Sequence, residues 1–328
     1  MKKKVNFLIR MAITIIVLLL VISVYFYVIK PKYIYGDGFP TTSTFKGFYE
    51  TENNSLDLIF LGSSHGACAF DPEVMDEYDI NSYNLSCEQQ SLFTSYYWLK
   101  EALKTQKPKT VVLEVYMLYL FDDPIMKPTT ANCTHKAFDF MNISVNKLRA
   151  CVDARRLDPE LTISSMLFPN VLYHTRWKEL TAKDFKTSFS EDEGFLRGFY
   201  PMYGEGVEGY SPIEVNYDED IETPNSVMLE YLVKILDLCQ KNNIRLILVS
   251  TPTTFETNSQ HLLMWSLASF VAGDIEFYDF NTKEVYEACG YDFSKDNNDD
   301  DHANAKGAQK ITSYLARKIT QKQGISND

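Results

Sequence analysis

The chain has 328 residues, 45% apolar and 14% aromatic, which is enough to bury a full hydrophobic core and excludes large-scale disorder. Its formal net charge is −12, yet residues 1–32 hold six of the 32 basic residues (Lys2, Lys3, Lys4, Arg10, Lys30, Lys32) and none of the 44 acidic ones, leaving the remainder at −18. A surface of that sign argues against nucleic acid and against anionic lipid as partners of the globular part. The six cysteines contain no Cys-x-x-Cys pair, which argues against zinc and gives no disulfide framework.

The first element is an apolar run, Met11 to Ile29, without a charged residue. Nineteen residues of helix rise about 28 Å, enough to cross a bilayer's hydrocarbon core. A cleaved signal peptide and a retained anchor both begin this way. Here the run continues through Val24-Tyr25-Phe26-Tyr27-Val28 into Lys30-Pro31-Lys32 with no Ala-x-Ala pattern, which favours the anchor. Residues 1–32 are thus read as a cytoplasmic tip and single transmembrane span, with the basic N-terminus inside and everything from about Pro31 outside the cell membrane. The polar stretch up to Asn54 reads as a linker, residues 33–54.

An alternation of short apolar runs and amphipathic stretches follows. Leu58–Leu61 predicts a strand, and Asp71-Pro72-Glu73 predicts a capped helix reaching about Tyr78. Ser82–Leu85 predicts a second strand, Ser91–Lys104 a helix, and Thr110–Val115 a β-branched third strand. After a gap come a helix over Val227–Lys241, a strand over Leu246–Val249, a helix near His261–Val271, a strand over Glu276–Asp279 and a last helix over about Lys306–Gln321. Apolar strands alternating with helices imply a three-layer α/β/α domain with a parallel sheet over residues 55–322, followed by a tail, 323–328. Residues 121–225 break the alternation and are expected to form a mainly helical insertion.

The first strand runs into Gly62-Ser63-Ser64-His65-Gly66, small and polar residues at what should be the sheet's carboxyl edge, where open α/β sheets bind ligands. A serine there becomes a nucleophile if a base reaches it. Of the five histidines, His302 has a carboxylate three residues earlier, Asp299, a spacing at which one turn of chain returns the acid to Nδ1 and leaves Nε2 as base. Asn304 and Gly307 then lead into the last helix. The blander readings are a polar turn at Ser63-Ser64 and a solvated charge run at Asp299-Asp300-Asp301. His65 reads as a structural histidine or a second imidazole beside the serine, and Glu114, at the end of the third strand, as a partner for Ser63, His65 or a basic residue.

Gly62-Ser63-Ser64-His65 near the start, with Asp299-x-x-His302-x-Asn304-x-x-Gly307 near the end, resembles the SGNH/GDSL hydrolase superfamily. The likeness is to its membrane-anchored bacterial members, which include DltD and polysaccharide O-acetylation proteins. That resemblance implies a flavodoxin-like α/β fold, Ser64 as nucleophile, His302 as base and Asp299 as acid. It also implies an oxyanion hole built from the Ser64 N–H and an amide after the second strand. There the chain reads "YNLSCEQQSL", with no glycine, so an amide of Glu88, Gln89 or Gln90 stands in; after the third strand, "VVLEVYMLY" lacks the family's asparagine. The function implied is an extracytoplasmic serine acyltransferase or esterase acting on O-acyl groups of envelope polysaccharide. Its partners would be the polysaccharide or acyl donor and a multi-pass membrane acyltransferase, and it would need no metal or organic cofactor. The alternative is an inactive accessory protein of the same fold that binds the acyltransferase or the glycan.

Overall fold

The structure is a computed structural model that describes residues 2–118, 134–191, 194–224, 226–271 and 275–325. Five parallel strands form its sheet: β1 (Leu58–Leu61), β2 (Ser82–Asn84), β3 (Thr110–Glu114), β4 (Arg245–Ser250) and β5 (Glu276–Asp279), in the order β2-β1-β3-β4-β5. Successive residues of each strand point to opposite faces, and both faces are covered. Ile59, Leu61, Val111, Leu113, Leu246 and Leu248 join a core with Trp98, Tyr231 and Ile235. Leu58, Phe60, Val112, Ile247 and Val249 join another with Phe70, Ile311 and Leu315. Continuous burial on two faces is why these strands read as unbroken apolar runs.

Chain direction decides which helix covers which face. The connection from β1 to β2 runs through helices Ser64–Ala69 and Pro72–Asp76, whose Ala69 and Met75 sit on the second face. The connections from β2 rightward, Leu92–Ala102, Ser226–Lys241 and Asn258–Ser266, cover the first. Opposite directions of travel on opposite faces are what a single crossover handedness requires. After β5 the chain returns through Ala305–Ile325 across the second face, where Thr312 Oγ1 donates to Ala69 O at 3.0 Å and accepts from Asp71 N at 3.0 Å. That return carries the last loop to the start of the first helix.

Local signals account for most element boundaries. Asp71 accepts from Glu73 N, Ser91 from Thr94 N and Thr257 from Gln260 N, each side chain taking an amide that the first helical turn leaves without an acceptor. The stretch expected as a linker differs. Thr41–Tyr49 is a buried helix whose Phe45 stacks on Trp98 at 4.3 Å and whose Phe48 meets Tyr83 edge-on at 5.5 Å. Its Thr- and Ser-rich composition looks like a connector, but two aromatic side chains three residues apart dock it onto the core.

Among the described residues the expected insertion is helical in its earlier part, with α-helices Val145–Leu157, Ile163–Leu167 and Asn170–Tyr173 and short 3-10 turns at Arg176–Lys178 and Ala182–Phe185, and irregular after that; residues 119–133 lie outside the described residues. From residue 194 to 216 the chain runs as an extended strap along the sheet's edge, with Asn84 N donating to Arg197 O, Tyr200 N to Ala67 O and Ile213 N to Asn281 O. Cys68, Cys87, Cys151, Cys239 and Cys289 are buried thiols; Cys133 lies outside the described residues. The N-terminal helix, Lys2–Ile29, is long and apolar enough to cross a membrane, with a mean hydropathy of 2.8 over its most apolar window and little of it buried.

Candidate active site

In the strand order observed, the chain leaves β1 toward one side for β2 and returns to the other side for β3. A crevice therefore opens beyond the carboxyl ends of β1 and β3. Two close approaches shape it. A Cβ on Gly62 would lie 2.6 Å from Glu114 Cβ, so glycine alone lets the end of β1 turn against the end of β3. Glu114, itself buried, then accepts from Ser63 N at 2.9 Å and Ser63 Oγ at 2.7 Å with Oε2, and from Tyr116 N with Oε1. Ser63 caps the short helix by accepting from His65 N. Ser63 and Glu114 are thus a buried brace, and the half-buried residue set free at the crevice is Ser64.

The opposing wall is the loop before the last helix. Asp299 Oδ1 accepts from Asp301 N at 2.8 Å and His302 N at 2.7 Å, closing the loop on its own backbone. Asn298 N donates to His302 O at 2.7 Å, and Asn297 bridges Ala303. Asn304 is buried: its Nδ2 donates to Gly204 O, Lys295 O and Asn297 O, while its Oδ1 accepts from Lys306 N and Gly307 N. It stiffens the loop and caps the last helix without touching Ser64.

Across the crevice His302 Nε2 lies 2.9 Å from Ser64 Oγ, and His302 Nδ1 lies 3.3 Å from Asp299 Oδ1. Hydroxyl, imidazole and carboxylate stand in sequence, so the imidazole can take the serine proton at one nitrogen while the acid holds the other. Burial works to raise the Asp299 pKa. Hydrogen bonds from Asn298 and from the Asp301 and His302 amides, with the charge of His302, outweigh it and hold the carboxyl below its ordinary range. Asp299 therefore stays ionised at neutral pH.

A second layer backs this chain of groups. His65 is buried, its ring stacked on Tyr116 at 3.6 Å and 4.9 Å from the His302 ring. Its Nδ1 lies 3.2 Å from Thr251 Oγ1, and its Nε2 is 3.2 Å from Asp301 Oδ1, close enough for charge attraction but poorly aligned as a hydrogen bond. Asp301 also accepts from Thr253 Oγ1 at 2.8 Å and Tyr116 OH at 3.3 Å. Its carboxyl is held low: burial opposes this, and the close approach and charge of His65 with the Thr253 hydroxyl prevail. Among the described residues His65, Asp301 and His302 also offer donor atoms within 4.8 Å of one another, the group through which a metal ion could be held.

The loop carrying Glu88, Gln89 and Gln90 lies beside the turn of β1, where Cys87 N donates to Gly62 O at 3.2 Å. Gln90 is engaged within that loop. Its N–H closes onto Cys87 O at 3.0 Å, and its side-chain amide donates to Leu85 O and Ser95 Oγ. Glu88 pairs with Lys136 at 2.9 Å, and Gln89 adopts a left-handed conformation, φ 52°. Of the three backbone amides, that of Gln90 is therefore already committed within its own loop.

Ser64, His302 and Asp299 come together, Ser63 and Glu114 brace them, and His65 joins through Asp301. Sequence reasoning passed over Asp301, Tyr116, Thr251 and Thr253. The signals available were weak: one of three consecutive aspartates, and polar residues just past the ends of β3 and β4. The chain matches no protein-family model, and a search among curated proteins finds no match.

Proposed function

We propose that the protein is a membrane-anchored serine acyltransferase or esterase working outside the membrane on O-acyl groups of envelope polysaccharide. The observation that carries the reading is the 2.9 Å contact between His302 Nε2 and Ser64 Oγ, with Asp299 behind the imidazole. Ser64 Oγ attacks the acyl carbonyl carbon as its proton passes to His302 Nε2. The Ser64 N–H and the Glu88 amide receive the charge that develops on the carbonyl oxygen. As the tetrahedral species collapses, His302 returns the proton to the departing oxygen and an acyl-Ser64 ester remains. A sugar hydroxyl, or water, then attacks the ester as its proton passes to His302, and His302 hands that proton to Ser64 Oγ as the ester bond breaks.

The site's place near the anchor supports a membrane-side substrate. Just past the apolar helix, Tyr35 OH accepts from Gly198 N at 3.1 Å and Phe39 packs on Tyr200 at 4.5 Å. Tyr200 N in turn donates to Ala67 O, on the helix that begins with Ser64. The likeness to SGNH/GDSL proteins of the envelope, rather than this geometry, directs the reading to glycans and to a multi-pass acyltransferase as partner. The test is the O-acyl content of envelope glycans in cells carrying Ser64→Ala. A fall supports transfer and a rise supports deacylation. Unchanged acylation overturns the assignment and favours an accessory protein.

A further inference from the structure

The negative balance of the globular part hides a local exception. Where the apolar helix ends, a cavity of about 470 Å³ opens between its last turns and the segment around Met141. Three lysines from separate parts of the chain line it: Lys30 just past the helix, Lys46 in Thr41–Tyr49, and Lys147 in Val145–Leu157.

Lys30 Nζ donates to Asp139 O at 3.1 Å, Lys147 Nζ donates to Met141 O at 3.0 Å, and Lys46 Nζ sits 5.4 Å from the Tyr49 ring centre. Among the described residues none of the three forms an ion pair with a carboxylate. The one acid of the lining, Asp139, is 3.0 Å from His135 Nδ1. Burial, reinforced by the neighbouring Lys147 and Lys46 charges against the opposing pull of Asp139, brings Lys30 down to about 8; burial lowers Lys46 and Lys147 as well, outweighing Glu50 and Asp139. Three buried cations held near one another and not directly paired with a carboxylate are costly, and an anion with several acceptor oxygens lowers the cost.

The setting narrows the choice of anion. One wall is the apolar helix itself, through Phe26, and the rim carries Ile143 and Phe168, large apolar side chains that are 72% and 46% exposed. A charged cavity with an apolar rim beside a membrane-length helix fits a ligand with an anionic head and apolar tails. We propose that this cavity holds the phosphate of an anionic membrane lipid, with Lys30, Lys46 and Lys147 as donors and the acyl chains leaving past Phe26, Ile143 and Phe168. The proposal departs from the expectation that net charge turns anionic lipid away from the whole globular part, because screening confines distant carboxylates to about 8 Å while the three lysines line one cavity.

The proposal rests on the anchor reading and not on the serine chemistry. The test titrates the detergent-solubilised full chain with phosphatidylglycerol, phosphatidylcholine or inorganic phosphate and counts bound molecules by native mass spectrometry. Phosphatidylglycerol should bind about ten-fold more tightly than phosphatidylcholine and more tightly than inorganic phosphate, and Lys30→Gln with Lys46→Gln should erase that preference. Lys46→Arg, which keeps the charge, should retain it. Equal binding of the two lipids, or a preference that survives the double substitution, overturns the site; phosphate binding as tight as the lipid overturns its assignment to lipid. Membrane fractionation separates the two ideas. A chain recovered without detergent refutes the anchor, whereas an anchored chain without headgroup preference refutes only the lysine site.

Discussion

Of the His–Asp pairs at the carboxyl edge of the sheet, His261–Asp279 and His302–Asp299 make the sharpest contrast, and the better-made pair is the one without a nucleophile. His261 Nδ1 lies 2.7 Å from Asp279 Oδ2, both residues are buried, and Asn281 N donates to Asp279 Oδ1 at 2.8 Å. His302 and Asp299 are more open and 3.3 Å apart. What distinguishes them is the partner of the second nitrogen: His302 Nε2 meets Ser64 Oγ, whereas His261 meets no serine, threonine or cysteine side chain among the described residues. A tight buried pair at β5 stiffens an edge strand. A looser pair at the β1/β3 crevice, facing a hydroxyl, can move a proton.

That contrast can be broken at either pair. The largest effect is expected from His302→Ala, which should slow ester hydrolysis by about a thousand-fold and leave nothing further for Ser64→Ala to remove, since the two act as one unit. Asp299→Asn should cost less, about 10- to 100-fold, because a partly exposed carboxylate orients the imidazole without being buried with it. Steady-state rates on a small acyl ester read both. Glu114→Gln should act on the fold first. It leaves Ser63 N–H, Ser63 Oγ and Tyr116 N–H sharing a poorer acceptor, at about 1–3 kcal/mol of stability in a denaturant titration. His261→Gln should lower stability by about 1 kcal/mol and leave the hydrolysis rate unchanged. A rate loss at His261 matching that at His302 would erase the distinction between the pairs.

Much of the site was legible because its two halves are local. Gly62-Ser63-Ser64 ends a strand within five residues, and Asp299-x-x-His302 folds back on itself within four. The strands and most helices were legible because periodicity and caps are also local. What was hidden depends on pairing between distant segments. Which of Asp299, Asp300 and Asp301 faces His65 follows from where Thr253 and Tyr116 emerge from β4 and β3, and the sequence does not state that register. The helix Thr41–Tyr49 hides for a related reason: its anchors, Phe45 and Phe48, find Trp98 and Tyr83 only in the folded chain. Lys30, Lys46 and Lys147 are unremarkable surface candidates in the sequence until three segments bring them to one cavity.

The central claim is that Ser64 is a nucleophile activated by His302. Its most direct test is labelling of the full chain with a fluorophosphonate probe, with the modified residue located by peptide mass spectrometry. The account predicts one modified serine, Ser64, and labelling lost in both Ser64→Ala and His302→Ala. An unlabelled wild-type chain, or equal labelling of Ser64→Ala, would contradict it.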